Sequence, residues 1–510
     1  MIGLLISAAY PTCDRSAGIF GVGYRLVVMA SHGNPKSGRV LSLFVLAMMN
    51  TALVVGLEGF PTMAGFGLGL ITWYLFFGLV YFIPVGFVAA ELGVGFPREG
   101  GVYAWVKEAL GIRWAFVASW MQWIQIVVWY PSVLAVCALA AADIFAPDLG
   151  DEKWYTVPAV IGIFWGSTLM NLFGIQLSGL ITSLCLWIGT FVPTVLAILF
   201  AVWWLADGQP AQMSFEVEQL VPDLSSWGKV AVAMTLFSFL SGLEVNGVHF
   251  RRVKHPNRAI PASLFISMLL VLGVSMLGAL SVAVLVPRGD EAIAGGPLQV
   301  FHAFLTFYGM TGWMPLLAFC VLLGMIGHMI VWIIGPVETL RFAARDGVIP
   351  PTFQRVNKAK VPQNLLLLQA GIVTMLCLLY AFVDMNSVFY IATVMSAQLY
   401  LVMYVLMFIS AIVLRYKCPD VDRPFRIPGG NVGMWIVAGT GAVFGTFGIF
   451  VLFTPPDDAN MPMDRGLFVL LTIVFFLVAL SVPFLVYAVR KPSWKNSDLD
   501  DVEHETPMDF

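Results

Sequence analysis

The sequence predicts an all-α integral membrane protein with twelve transmembrane helices. Of its 510 residues, 59% are apolar and only 11% are charged, whereas a soluble globular protein carries about 25% charged residues. A membrane-spanning helix requires about 20 predominantly apolar residues. The segments that meet this requirement are approximately residues 40–68, 71–96, 113–146, 155–173, 178–206, 229–250, 260–286, 311–340, 364–383, 387–414, 432–454 and 466–489.

The distribution of lysine and arginine predicts the orientation of these helices. If the segment before the first span lies in the cytoplasm, nearly all of the 27 lysine and arginine residues fall on the cytoplasmic side. The exceptions are Lys153, Lys229, Arg288 and Arg465. Because cytoplasmic loops of membrane proteins are enriched in lysine and arginine, both termini are predicted to be cytoplasmic and the number of spans to be even.

The composition also excludes several classes of function. A net charge of −3 without a basic run argues against nucleic acid as a partner. The cysteines lie far apart and show no metal-ligand spacing, so neither a metal nor a cofactor is predicted. No catalytic residue is assigned either, since no nucleophile–base pair is evident. The loops between spans are too short to form a domain, so the function is expected to reside within the lipid bilayer.

The two ends of the chain are predicted to be cytoplasmic segments, residues 1–39 and a short tail of residues 490–510. Near the N-terminus, the apolar stretch MIGLLISAAY is followed directly by PTCDR, which makes it a poor signal peptide and too short a span. Two interpretations fit residues 1–28: a disordered extension, or a start codon assigned too far upstream.

An internal repeat divides the membrane region. The tripeptide Gly-Leu-Glu occurs in the middle of span 1 (56–58) and again in span 6 (242–244). These spans head two blocks of five, residues 40–210 and 229–414, and an odd number of spans inverts the second block relative to the first. Inverted repeats are a common design of transporters. Residues 432–489 then form two further helices.

The residues around both glutamates favour interrupted helices. They are Gly56, Gly59 and Pro61 around Glu58, and Gly242, Asn246 and Gly247 around Glu244. Proline removes a helical hydrogen bond, and non-helical backbone at membrane depth survives only where it is buried in protein or lines a cavity. A charge at the bilayer centre costs about 2.5–3.5 kcal/mol. Both glutamates are therefore predicted to lie at a polar cavity, the alternative being protonated packing residues.

Several motifs resemble those of a known transporter group. The segment AAELGVGFPREGGVYAWV (89–106) resembles the signature of the amino acid–polyamine–organocation superfamily. Within it, the chain is most similar to the bacterial glutamate/GABA antiporters. That similarity rests on FPTMAGFG (60–67), FIPVGFVAAEL (82–92), EGGVYAWVKEALG (99–111), WIIGP (332–336), FRIPGG (425–430) and PFLVYAV (483–489).

The resemblance implies a fold and an activity. The fold is LeuT-like, with two inverted five-helix repeats plus two helices, and with helices 1 and 6 interrupted. The activity is exchange of an external amino acid for an internal one, often its decarboxylation product, by alternating access. The resemblance further implies a bacterial inner membrane and a functional link to a cytoplasmic decarboxylase.

Four residues match functional positions of these antiporters. Glu244 matches the glutamate of the broken sixth helix, and Tyr400 and Tyr404 match two tyrosines that line the substrate path on the tenth helix. Their spacing of four places both tyrosines on one helix face. Trp332 matches a tryptophan of the eighth helix, where an indole can cover a cation; a packing role for Trp332 is the alternative.

Two sites depart from the glutamate/GABA antiporters. Those antiporters carry tyrosines just before the proline of span 1, where this chain has Glu58, Gly59 and Phe60. A carboxylate at position 58 would repel an acidic side chain unless protonated but would favour an amine. His328 replaces a glutamate. Because histidine titrates near pH 6.5, His328 is either a pH-sensitive group or a structural histidine that donates to a carbonyl. The tail is too short to be expected to plug the inner vestibule.

The resulting function hypothesis is an amino acid antiporter. The alternatives are a proton-coupled amino acid or polyamine symporter on the same fold and, from another class, a membrane-embedded sensor or enzyme. In sodium-driven relatives on this fold, hydroxyl residues of the eighth helix help to coordinate the ion. The resemblance therefore implies no sodium coupling here, because VLLGMIGHMIVWIIG (321–335) offers no side-chain oxygen. The candidate substrate-binding residues are Gly56, Glu58, Gly59, Ser241, Gly242, Glu244, Trp332, Tyr400 and Tyr404. The candidate proton-binding or pH-sensing residues are Glu58, Glu244 and His328.

Overall fold

The computed structural model describes residues 41–97, 100–150, 152–173, 184–185, 187–287, 298–382, 385–456 and 464–495. The predictions for residues 1–39 and for the tail beyond residue 495 lie outside the described residues. Throughout the described ranges the chain is helical and forms no strand. The α-helices are α1 Leu43–Val54, α2 Phe60–Ala64, α3 Gly69–Phe77, α4 Ile83–Gly95, α5 Val102–Leu110, α6 Ile112–Phe145, α7 Lys153–Leu172, α8 Val192–Ala206, α9 Trp227–Thr235, α10 Pro256–Leu285, α11 Leu298–Phe307, α12 Met314–Arg345, α13 Gln363–Cys377, α14 Met385–Lys417, α15 Gly430–Val451 and α16 Arg465–Ala488.

Ten helical segments of the described chain are long and apolar enough to cross a membrane. They are Leu43–Ala64, Gly69–Gly95, Ile112–Phe145, Trp187–Ala206, Trp227–Val248, Pro256–Leu285, Thr311–Arg345, Ile391–Lys417, Gly430–Val451 and Arg465–Ala488. The predicted fourth and ninth spans correspond to α7, with 20 residues, and α13, with 15. The all-helical membrane architecture is thus established, whereas the number of twelve spans and the inverted repeat stay predictions.

The first membrane segment is not one continuous helix. α1 ends at Val54, and Val55 and Gly56 have extended backbone conformations. A 3₁₀ turn at Leu57–Gly59 then leads into α2. Pro61 lies in the first turn of α2, where its missing N–H costs nothing. The Gly and Pro residues of this stretch therefore allow the chain to leave and re-enter helical geometry.

The segment around Glu244 is interrupted in a similar way. α9 continues as a 3₁₀ helix over Leu236–Leu240, and Ser241 is extended. Gly242 has φ +117°, a value that side-chain-bearing residues rarely adopt. The chain then continues as a 3₁₀ helix over Val245–Arg252.

The two interrupted segments lie among the longest helices of the bundle. α6 packs against both α12 and α14, and all three helices contact the interrupted segments. A buried amide pair links the interruptions: Asn246 Nδ2 donates to Asn50 Oδ1 at 2.8 Å. The last helix, α16, lies at the periphery, since only 17% of its apolar stretch is buried inside the protein, against 83% for that of α6.

A buried ion pair joins α4 to α14 at the predicted cytoplasmic side. Arg415 donates from Nε to Glu91 Oε1 at 2.5 Å and from Nη2 to Glu91 Oε2 at 2.6 Å. The backbone N–H of Ile427 adds a third bond to Glu91 at 2.8 Å. Both charged side chains are at most 3% exposed, so Glu91 connects three elements, as expected for a structural residue.

We expect Glu91→Gln to lower the thermal unfolding midpoint of the detergent-purified protein. Removing one charge of a buried pair leaves the other uncompensated, which typically costs about 3–5 kcal/mol. Glu338→Gln is the matched control, because Glu338 pairs with Arg341 of its own helix at 2.8 Å and so does not join two elements through this bond. Equal midpoints for the two variants would contradict a structural role for Glu91.

Candidate functional site

Glu244 is the centre of a buried hydrogen-bond network. Its carboxylate receives Tyr400 OH on Oε1 at 2.5 Å and Tyr404 OH on Oε2 at 2.5 Å. Gln122 Nε2 of α6 donates to Oε1 at 3.1 Å. The side chain of Glu244 has no solvent exposure. Because the two tyrosines are one turn apart on α14, a single helix face holds both carboxylate oxygens.

The backbone of the second interruption is tied into the same network. The N–H of Gly242 donates to Tyr404 OH at 2.9 Å, so Tyr404 connects Glu244 to the break. Ser241 Oγ donates to the Phe237 carbonyl at 2.8 Å and lies 3.1 Å from Tyr81 OH. Since the serine hydrogen is already engaged, Tyr81 is the donor in the latter contact.

Two side chains of α12 donate hydrogen bonds to carbonyls at the C-terminal end of α1. His328 Nδ1 donates to the Ala52 carbonyl at 2.7 Å, and Trp332 Nε1 donates to the Leu53 carbonyl at 2.9 Å. The last carbonyls of a helix have no partner within that helix, and α1 ends at Val54. His328 and Trp332 therefore stabilise the first interruption from outside.

A small cavity of about 30 Å³ lies beside these groups. Five predicted residues line it, namely Glu58, Ser241, His328, Trp332 and Tyr400. The remaining polar or aromatic lining is Gln125, Trp129, Ser238 and Ser396, and the apolar lining is Leu53, Val54, Ile126 and Phe239. Glu244 does not line the cavity but contacts its wall through Tyr400. Tyr404 also lies behind the wall and bonds to Gly242, the residue after the lining residue Ser241.

Glu58 is buried differently from Glu244. Its side chain is 2% exposed, and its Oε2 has no hydrogen-bond partner among the described residues. The carboxylate lies over Gly56, since a Cβ at that position would fall 2.2 Å from Glu58 Oε1. Gly56 thus makes room for Glu58 beside the break in its own helix.

The predicted glycines are packed against side chains in this conformation. A Cβ on Gly59 would lie 2.5 Å from Phe239, and one on Gly242 would lie 2.8 Å from Trp332. The structure therefore brings all the predicted site residues together around the two interruptions. Gly56, Gly59 and Gly242 leave no room for a Cβ in this conformation. The sequence analysis did not predict this packing constraint.

Sequence reasoning missed several residues of the site. Gln122 binds Glu244, and Gln125 Oε1 accepts a hydrogen bond from Ser396 Oγ at 2.8 Å. Glutamines three residues apart in a long apolar helix are a usable signal, because polar side chains in a membrane rarely face lipid. Ser238 and Trp129 carry no such signal, since serine and tryptophan are common in spans of every kind.

The electrostatic character of the cavity follows from its lining. Among the described residues that line it, Glu58 carries the only carboxylate, and neither lysine nor arginine is present. The rings of Trp129 and Trp332 lie 6.3 Å apart, and that of Tyr400 lies 6.1 Å from Trp332. Within the described part of the chain, no cluster of metal-binding side chains is found.

Residues 41–483 match the family profile described as amino acid permease. The chain belongs to the amino acid permease family, within the amino acid–polyamine–organocation superfamily. Members of this family are transporters and not enzymes, and the chain is accordingly a multi-pass membrane transporter. The superfamily resemblance of its sequence motifs is thereby confirmed.

Three relatives illustrate the range of this permease family. An uncharacterized transporter of Legionella pneumophila is 36% identical over 423 residues, or 83% of this chain and 91% of the relative. A glutamate/gamma-aminobutyrate antiporter of Lactococcus lactis is 28% identical over 456 residues, which cover 88% of this chain and 90% of the relative. A probable agmatine/putrescine antiporter of the same species is 23% identical over 392 residues, which cover 76% of this chain and 83% of the relative.

Proposed function

We propose that this permease is a secondary amino acid antiporter of the glutamate/GABA-antiporter type, working by alternating access. The observation that carries the proposal is the small polar cavity beside two helix interruptions. Transporters with broken helices bind their substrates at such interruptions near the middle of the membrane. The names of two relatives, both antiporters, support the exchange mode.

The proposed binding mode uses both breaks and the helices around them. The backbone at Gly56, Gly59, Ser241 and Gly242 holds the α-amino and α-carboxylate groups once the neighbouring side chains move aside. Trp332 and Tyr400 provide aromatic surface for the remainder of the substrate. Glu244 acts on this site through Tyr400 and Tyr404, whose hydroxyls it orders.

The setting of the exchange is proposed from the charge distribution and the resemblance. The protein lies in a bacterial inner membrane with both termini in the cytoplasm, because lysine and arginine concentrate on that side. The exchanged pair is an amino acid and its decarboxylation product, which links the antiporter to a cytoplasmic decarboxylase.

Counterflow in proteoliposomes tests the exchange mode. The full-length protein is reconstituted, and uptake of a labelled substrate is measured with and without unlabelled substrate inside. An antiporter takes up label only when the vesicles are preloaded. Uptake into empty vesicles driven by a pH gradient would instead favour a proton-coupled symporter, for which the buried carboxylates of Glu58 and Glu244 would serve as proton sites.

His328→Ala is expected to reduce exchange and to shift its pH profile. The substitution removes the donor to the Ala52 carbonyl and an ionisable group from the cavity wall. His328→Gln is the matched control, since an amide can still donate but does not titrate. Uptake is measured from pH 5.5 to 7.5. Normal activity with an unchanged profile for His328→Ala would assign this histidine to packing.

A further inference from the structure

We infer, on the basis of the exchange function proposed above, that Glu58 and Ser238 form a subsite for a cationic amine and make this permease select positively charged substrates over acidic ones. The inference deepens the proposed function by naming the charge class of the substrate. It rests on two buried polar atoms in the cavity wall and on the absence of positive charge from the described lining.

The first observation is the pair of buried atoms without partners. Glu58 Oε2 and Ser238 Oγ both belong to residues that line the cavity, and neither has a hydrogen-bond partner among the described residues. Buried polar atoms are nearly always hydrogen-bonded in native proteins, because leaving one unpaired costs about 1–3 kcal/mol. Both atoms are therefore open to a ligand group that carries hydrogen-bond donors.

The comparison with Glu244 shows which carboxylate is free to bind. Both oxygens of Glu244 already accept hydrogen bonds from side chains of α6 and α14. By contrast, Glu58 Oε2 has an unused lone pair beside the cavity. An ammonium group offers three N–H donors, so it can satisfy Glu58 Oε2 and Ser238 Oγ together.

The second observation is the charge of the lining. Lysine and arginine are absent from the described cavity wall, and the Nδ1 hydrogen of His328 is engaged by the Ala52 carbonyl. An acidic substrate would place a second carboxylate near Glu58 without a compensating cation, and like charges repel strongly at low dielectric. A cationic amine meets a carboxylate instead.

The aromatic residues that line the cavity also favour a cationic substrate. Trp129 and Trp332 both face the cavity, with ring centroids 6.3 Å apart. A cation near the face of an indole gains about 0.5–2 kcal/mol. The Trp332 indole is also fixed in place by its bond to the Leu53 carbonyl.

Binding to the detergent-purified, full-length protein tests the subsite directly. Isothermal titration at pH 7.5 compares three probes of similar length, namely ornithine (cationic), glutamine (neutral) and glutamate (acidic). The wild type is expected to bind ornithine most tightly and glutamate least. Glu58→Gln is expected to weaken ornithine binding at least tenfold, or about 1.4 kcal/mol, and to change glutamine binding much less.

Two further variants make the test specific. Ser238→Ala is expected to weaken ornithine binding several-fold, and less in the Glu58→Gln background, because both groups contact one ammonium. Glu338→Gln removes a buried carboxylate outside the cavity and is expected to leave all three affinities unchanged. If Glu58→Gln does not fold, Glu58→Asp replaces it; the shorter carboxylate is expected to weaken ornithine binding but to preserve the preference over glutamate.

The outcomes separate this inference from the proposed function. Wild-type protein that prefers glutamate, or an ornithine affinity that is unaffected by Glu58→Gln, would overturn the subsite. Counterflow with glutamate alone would overturn the subsite while leaving the antiporter proposal intact. Ornithine binding without exchange of any probe would support the subsite and contradict the antiporter proposal.

Discussion

Glu244→Gln is expected to reduce exchange by about 100-fold, or about 2.7 kcal/mol of transition-state stabilisation, in a protein that still folds. The wild-type carboxylate accepts from Tyr400, Tyr404 and Gln122. An amide has only one oxygen acceptor, and its NH₂ group must face one of these donors. If that donor is Tyr404, its hydroxyl loses its acceptor while it still has to accept the Gly242 N–H.

Glu244→Gln is expected to reduce transport because Tyr404, one of the donors to Glu244, also bonds directly to the interrupted backbone at Gly242. A rearranged Tyr404 changes the hydrogen bond that fixes Gly242, and alternating access requires this segment to have defined conformations. Counterflow per folded molecule measures the effect, with folding checked by size-exclusion chromatography and thermal unfolding.

Tyr404→Phe and Glu91→Gln are the informative comparisons for this prediction. Tyr404→Phe removes the same connection and is expected to resemble Glu244→Gln in transport. Glu91→Gln lies outside the cavity and is expected to reduce stability more than transport per folded molecule. Equal and small effects of Glu244→Gln and Glu91→Gln on uptake would show that the network around Glu244 has no part in exchange.

The helix interruptions were predictable from the sequence because their causes are local. Glycine and proline change the backbone preferences of their own residues, so Gly56, Pro61 and Gly242 mark the breaks without any tertiary information. The apolar segments were predictable for the same reason. What hydropathy does not determine is the helix type along each span: in the predicted segment 364–383, α13 ends at Cys377 and the chain continues as a 3₁₀ helix over Leu378–Ala381.

The contacts within the site were less accessible from the sequence. Tyr400 and Glu244 are 156 positions apart, and only the family resemblance suggested that they share a path. The role of His328 at the Ala52 carbonyl depends on where α12 lies relative to the end of α1. No local pattern reports that position. Gln122 and Gln125 mark a helix face that avoids lipid, but their spacing does not report that Glu244 lies opposite Gln122.

Gly242→Ala is expected to abolish exchange and to lower the thermal unfolding midpoint. At φ +117° an alanine is strained, and its Cβ would lie 2.8 Å from the Trp332 ring and 3.3 Å from the Leu53 carbonyl. Trp332 cannot simply move, since its Nε1 donates to that same carbonyl at 2.9 Å. The added methyl group would therefore disturb both interruptions together.

A control and a second-site variant separate the two causes of the expected defect, namely backbone strain at Gly242 and contact of the new Cβ with the Trp332 ring. Gly371→Ala on α13 is the control, because a Cβ there meets no atom within 4 Å and φ is not positive; normal exchange is expected. Combining Gly242→Ala with Trp332→Phe removes much of the ring contact but not the backbone strain, so it should restore part of the stability without restoring exchange. Wild-type exchange by Gly242→Ala would instead mean that the interruption tolerates a side chain, and that the contact between Gly242 and Trp332 does not connect the two broken helices.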